Sequence, residues 1–180
     1  MGYMKNIYYT KEILELEKYP EHNAGFIEFL KESNAIEGIY DKEMLDQSMV
    51  AWLYLIKQPV ITVSVILKTH KLLMLRSNLQ PNQKGYFRDE NVRVGLHHPP
   101  DSHEVPMLMQ NWCFESMRAF PPVDPIDAHV DFENIHPFID GNGRIGRMLM
   151  NWMFLKRSED PRIIVIEEKD RQEYYKWFRK

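Results

Sequence analysis

Cysteine is almost missing: Cys113 is the only one in 180 residues, so no internal disulfide can form and the chain suits a reducing compartment. Its setting, Asn111-Trp112-Cys113-Phe114, reads as a packed thiol on a helix rather than a nucleophile. Long hydrophobic runs are missing too. The longest, Val60 to Leu67, is broken by Thr62 and Ser64 and falls far short of the ~20 residues that span a bilayer. Met1 to Thr10 has no continuous apolar stretch of the secretory kind, and Asn6 stands where a myristoylation start needs Ser or Thr. The expectation is a cytoplasmic protein that does not engage membrane. Excess charge of one sign is also lacking. A net charge of −3 gives no pull towards nucleic acid, and the basic C-terminal stretch is interleaved with Glu159, Asp160, Glu167, Glu168, Asp170 and Glu173. His97, His98 and His103 lack the well-spaced Cys or carboxylate partners of a metal site. What is present, 44% hydrophobic and 27% charged residues, is the composition of an ordinary globular protein. One domain over residues 1–180 is expected.

Helical periodicity dominates. Residues 1–20 read as a short packed segment around Ile13, Leu14 and Leu16, closed by Pro20. Asn23 to Glu37 reads as a helix with Phe26, Ile27, Leu30 and Ile36 inward, stopped by Gly38. Asp41 to Lys57 carries Leu45, Met49, Trp52, Leu53 and Ile56 on one face, and Thr62 to Leu75 carries Val63, Ile66, Leu67, His70 and Leu73. His70 reads as a packed or capped histidine. Short alternation on either side of Asp89-Glu90-Asn91 predicts a small β-hairpin over about residues 84–95. A helix runs from Val105 to about Ala119. Asp124 followed by Pro125 is a helix-start signal for a segment to Ile135.

That helix delivers the stretch His136-Pro137-Phe138-Ile139-Asp140-Gly141-Asn142-Gly143-Arg144-Ile145-Gly146-Arg147. Gly141 and Gly143 flank Asn142, so the backbone can bend there at positive φ without a Cβ penalty. Successive amides in such a turn form an anion-binding concavity. A helix begins directly afterwards, with Ile145, Met148, Leu149, Trp152 and Leu155 near one face, and its N-terminus suits phosphate. Arg144 and Arg147 are three apart and share a face. Asp140 offers a hard oxygen ligand of the kind Mg²⁺ takes alongside substrate phosphates, and His136 could take a proton near neutral pH. Asp-Gly and Asn-Gly are also ordinary tight-turn dipeptides, so any two of these features alone would indicate only a turn.

Together they are more specific. The stretch resembles the signature of the Fic family, His-Pro-Phe-x-Asp/Glu-Gly-Asn-Gly-Arg-x-x-Arg, with all nine specified positions matched. The resemblance covers roughly residues 30–180 and implies a mainly α-helical bundle with a β-hairpin flap. It also implies a protein adenylyltransferase moving AMP from ATP to a Tyr, Thr or Ser hydroxyl of a target protein, or of the chain itself. His136 would be the base and Asp140 the Mg²⁺ ligand. Gly141, Asn142 and Gly143 would form the phosphate cradle, with Arg144 and Arg147 on the outer phosphates and Phe138 as anchor. Ser33-Asn34-Ala35-Ile36-Glu37-Gly38, which from pattern alone is a polar helix end with a glycine cap, fits the inhibitory helix of some Fic proteins. There the glutamate, here Glu37, pairs with the last signature arginine, here Arg147. Residues 1–40 would then be an N-terminal segment with the inhibitory helix and 41–180 the core. The flap, Tyr86, Phe87, Arg88, Val92 and Val94, would hold a target segment by strand addition. Tyr174 and Tyr175 resemble a segment near the adenine, although packing would equally explain two terminal tyrosines. Removal of AMP, another nucleotide, and a non-catalytic nucleotide-binding module remain as alternatives, and a homo-oligomer is compatible with all of them.

Overall fold

The computed structural model describes residues 7–9, 24–118, 122–157 and 161–178. The segment expected around Ile13 to Pro20 lies outside them. Among the described residues the chain is mostly helical: α1 (Ala24–Ile36), α2 (Lys42–Ile56), α3 (Val63–Leu73), α4 (Val105–Arg118), α5 (Pro125–Ile135), α6 (Asn142–Arg157) and the one-turn α7 (Arg171–Tyr174). Two short strands, β1 (Ile7–Tyr9) and β2 (Arg162–Ile164), pair antiparallel with Ile7 opposite Ile164. No helix among the described residues is long and apolar enough to cross a membrane.

Helix ends fall where capping chemistry puts them. The Asp41 carboxylate accepts from Met44 N at 2.8 Å, and Thr62 Oγ1 accepts from Val65 N. Asp124 accepts from Ile126 N at 2.8 Å with Pro125 filling the first helical position, whose missing N–H would have no intrahelical partner anyway. Gly38, at φ +73°, closes α1 in the left-handed conformation that costs glycine little.

α6 is the axis of the molecule. A single apolar face was expected, yet every residue from Ile145 to Leu155 is buried. The reason is that two clusters sandwich it. Ile145, Met148, Leu149 and Trp152 meet the main core of α2, α3 and α5, including Trp52, Leu55, Ile66 and Phe132. Met150 and Phe154, on the opposite side, meet Ile36, Ile164, Ile166 and Tyr174. A helix buried on every side belongs in the middle of a bundle, and its polar members Arg144, Arg147 and Asn151 are buried with the rest. Its N-terminal turn is thereby held rigidly among α1, α3 and α5.

Residues 84–95 depart from expectation. They form no ladder about Asp89-Glu90-Asn91; the isolated bridge joins Val94 to His97 instead. The alternation there has another origin. Phe87 packs towards Phe138 with ring centroids 5.8 Å apart, while Arg88 is buried with only 3% of its surface exposed. Two adjacent inward side chains do not fit the in–out period of a strand.

Candidate active site

The site is built where α5 stops and α6 starts. His136 caps α5 in the left-handed conformation, φ 50° and ψ 61°, with its N–H donating to Phe132 O at 3.0 Å. It is the one non-glycine residue at positive φ among those described. Pro137 disfavours a helical conformation for the residue before it, and the left-handed turn is a strained one held by its surroundings. What holds it is Arg88. Its Nε donates to His136 O at 2.8 Å, its backbone N to Pro137 O at 2.9 Å, and its remaining donors reach Glu90 O, Pro100 O and Ile135 O. Its guanidinium therefore ties down the C-terminal carbonyls of α5, which favour a cation. As a flap side chain offered to a target, Arg88 is corrected: it is interior structure.

The loop itself is stapled twice. Asn142 Oδ1 accepts from Phe138 N at 2.9 Å while its Nδ2 donates to Phe138 O at 2.8 Å. The Asn142 side chain is thus engaged inside the loop, leaving its backbone as the part that can face an anion. Phe138 is fully buried and its ring stacks on His70 at 3.8 Å and 4°. His70 is the second staple. Gly85 N donates to its Nδ1 at 2.9 Å, so Nε2 carries the proton and donates to Asp140 O at 3.0 Å. Gly141 turns at φ +85°, and a Cβ there would press on Met74 Sδ at 3.1 Å.

The two arginines differ sharply. Arg144 is buried, with Nη2 reaching Asp140 Oδ1 at 3.4 Å, whereas its Nε and Nη1 are buried with no hydrogen-bond partner among the described residues. A guanidinium held in that state is ready for an anion, since buried donors without partners are costly. Arg147 is fully engaged instead. Nε donates to Ser33 Oγ at 2.9 Å, Nη1 to Tyr174 Oη at 3.0 Å, and Nη2 to Ser33 O at 2.9 Å and Glu37 Oε1 at 2.7 Å. The Glu37 oxygen also lies against the spot where a Cβ on Gly143 would stand, over the first turn of α6. A carboxylate of the chain itself occupies the positive end of this helix.

Tyr174, expected near the adenine, is packed inside the molecule. Its ring is 3% exposed and its hydroxyl lies between Arg147 and His129, 2.8 Å from His129 Nε2. Tyr175 is half-buried beside it. Asp140 keeps a largely exposed side chain, 57% accessible, with Oδ1 also accepting from Gly141 N at 2.6 Å. No cluster of three or more metal-ligating side chains exists among the described residues. One open carboxylate beside an anion-ready guanidinium fits Mg²⁺ that arrives with substrate phosphates, not a cation caged by protein.

Burial also sets the proton affinities. It lowers His70 and His136 to about 4 and His129 to about 3, with Arg147 adding to the effect at His129. These folded-state values lie below the ordinary 6.5, so below pH 6.5 the unfolded chain takes up protons that the fold refuses. Glu133, raised to about 8 mainly by burial, works in the opposite direction, one group against three. Stability should therefore fall as pH drops from 6.5 towards 4.5, at about 1.4 kcal/mol per pH unit for each net proton. Urea denaturation at pH 7 and pH 5 checks this; equal midpoints would contradict it.

Residues 60–154 match the Fic/DOC family model. The chain is 36% identical over 126 residues to Protein adenylyltransferase Fic of Drosophila erecta and 35% identical to that of Drosophila grimshawi. Each match covers 67% of this chain and 25% of the relative, so the chain spans about a quarter of the length of the curated relatives it matches. A Fic domain-containing signaling protein from Bacteroides thetaiotaomicron superposes with a TM-score of 0.71 at 20% identity, covering 92% of this chain and 77% of the other. A Fic family protein from Desulfovibrio desulfuricans gives 0.70 at 21%, covering 91% and 59%. These likenesses show the fold.

Proposed function

The chain belongs to the Fic/DOC family, and from that premise we propose that it is a protein adenylyltransferase whose resting state is blocked by its own Glu37. The observation that carries this reading is the Glu37 carboxylate seated over the first turn of α6 and bound to Arg147 at 2.7 Å. A carboxylate and a phosphate compete for a guanidinium because both match its paired donors. An anion site filled by the chain's own anion is a phosphate site held shut.

With Glu37 withdrawn, Arg147 and the partnerless donors of Arg144 bind the outer phosphates of ATP. With the Gly141 N–H already donated to Asp140 Oδ1, the amides of Asn142 and Gly143 face the phosphate nearer the reacting centre, where fixed donors stabilise charge that grows in the transition state. Mg²⁺, held by Asp140 and the nucleotide, supplies neutralisation of phosphate charge when bound. A target hydroxyl attacks the α-phosphorus, the bond to the bridging oxygen breaks, and pyrophosphate leaves. His136 Nε2 takes the hydroxyl proton, since burial keeps the ring neutral at pH 7. Tyr175 is the remaining tyrosine for the base side, while Tyr86 and Val94 keep exposed side chains for a target segment to meet.

The Glu37→Gly chain, given Mg²⁺ and a cell lysate, should label proteins from ATP carrying the label on its α-phosphate. The same label on the γ-phosphate should transfer nothing. Transfer from γ would mean a phosphate-transferring enzyme, and nucleotide binding without either transfer would mean a binding module. Excess unlabelled UTP or GTP that suppresses labelling would assign the base preference elsewhere.

A further inference from the structure

Glu133 was not singled out by its sequence position, one turn of α5 before His136. Its Oε2 lies 3.9 Å from His136 Nδ1, and its carboxyl is 14% exposed. The imidazole also hydrogen-bonds the Glu133 backbone, which favours a protonated ring. Oε1 is buried with no hydrogen-bond partner among the described residues. The space that Oε1 occupies exists because α6 has a glycine there. A Cβ on Gly146 would stand 2.6 Å from Glu133 Oε1 and 2.6 Å from His129 Nδ1. A carboxyl placed in a niche shaped by a helix glycine, facing an imidazole, is an arrangement in which one group can stabilise charge on the other.

The geometry points to Glu133 as the positioning acid of His136. The Glu133 backbone hydrogen bond holds the ring, and the carboxyl 3.9 Å away stabilises by its charge the imidazolium that forms when the target hydroxyl gives up its proton. This rests on His136 being the base, and it adds a partner that the signature does not contain. The charged and titratable groups around the pair are His129 on α5, Arg147 on α6, Glu37 just past α1, Tyr174 on α7, and Arg88 and His97 from the loop beside His136. Burial and Glu37 push the Glu133 carboxyl up, to about 8, against the pull of Arg147. Removing Glu37 deletes one raising influence, so in the unblocked enzyme the carboxyl ionises at or below pH 8. An ionised Glu133 stabilises the imidazolium better than a neutral one, and kcat should climb as pH rises through that region.

The test compares Glu37→Gly with Glu37→Gly/Glu133→Gln. The amide should lower kcat about tenfold or more, leave KM for ATP unchanged, and abolish the climb. Equal kcat with a superimposable pH profile would overturn the role. An independent arm follows the His136 ring by NMR in the otherwise unchanged chain, assigned by its loss in His136→Asn. Its signals should move in two steps as pH falls, the upper one tracking Glu133, and Glu133→Gln should erase the upper step. A His136 curve identical with and without the carboxyl would sink the coupling. Should Glu37→Gly transfer no AMP at all, the adenylyltransferase reading fails while the NMR arm still decides the Glu133–His136 pair.

Discussion

Replacing Glu37 by glycine is expected to raise AMP transfer by roughly ten- to a hundredfold, from the about 1.5–3 kcal/mol that a hydrogen bond to a charged group contributes. The Glu37–Arg147 contact joins a carboxylate to a guanidinium that is 2% exposed. Arg147 uses Nη2 for Glu37 and for Ser33 O, Nε for Ser33 Oγ, and one N–H of Nη1 for Tyr174, so four of its five donors are taken and no paired fork is left for a phosphate. Deleting the carboxylate frees part of Nη2 and clears the space above Gly143 in one step. Ser33 still holds Nε, so the arginine stays placed. Glu37→Gln, which keeps the bulk and loses the charge, should fall between the two. Tm should fall as well, because the deletion leaves the buried Arg147 guanidinium without its carboxylate. Rates of α-label incorporation across the three chains measure this, and equal rates would remove Glu37 from any inhibitory role.

In the Glu37→Gly background, His136→Ala should reduce transfer by about 10²- to 10⁴-fold, the span attributed to a positioned general base. ATP affinity should persist, since Arg144, Arg147 and the amides of the turn are untouched. The pH dependence follows from the ring being held at about 4. Its base form is already dominant at neutral pH, so loss of the base should cut kcat/KM tenfold per unit only below about pH 4, apart from the climb that follows Glu133 at higher pH. A fall centred near 6.5 would mean an exposed, ordinary histidine acts instead. An Ala variant that transfers at the parental rate would dismiss His136 as the base.

The signature loop was legible because all its parts are consecutive: turn glycines, helix start, acid, base and two arginines. The caps Asp41, Thr62 and Asp124 and the stop at Gly38 were legible for the same reason, since each acts within about four residues. Arg88, His70 and Glu133 were not legible as site components. His70 reaches Asp140 across 70 positions and Arg88 reaches His136 across 48, and nothing local in either segment predicts those meetings. Periodicity also misjudged which neighbour turns inward. Ile27 and Leu53 are 39% and 48% exposed, while Phe29 and Leu55 take the core places. Two positions along a helix is a rotation of about 200°, and tertiary packing decides which side turns inward. The hairpin was misread through the same limit: Arg88 answers to distant partners, as does the Tyr174 hydroxyl.

The Asn142 side chain grips both the N–H and the C=O of Phe138, four residues back. The loop is therefore a finished mould before any nucleotide arrives, and little ordering entropy is left for binding to supply. A mould that does not flex can be governed only by what fills it. In the proposed resting state control then belongs to the Glu37 side chain just past α1, which can leave the cavity while Phe26, Phe29 and Leu30 keep the helix itself in the core.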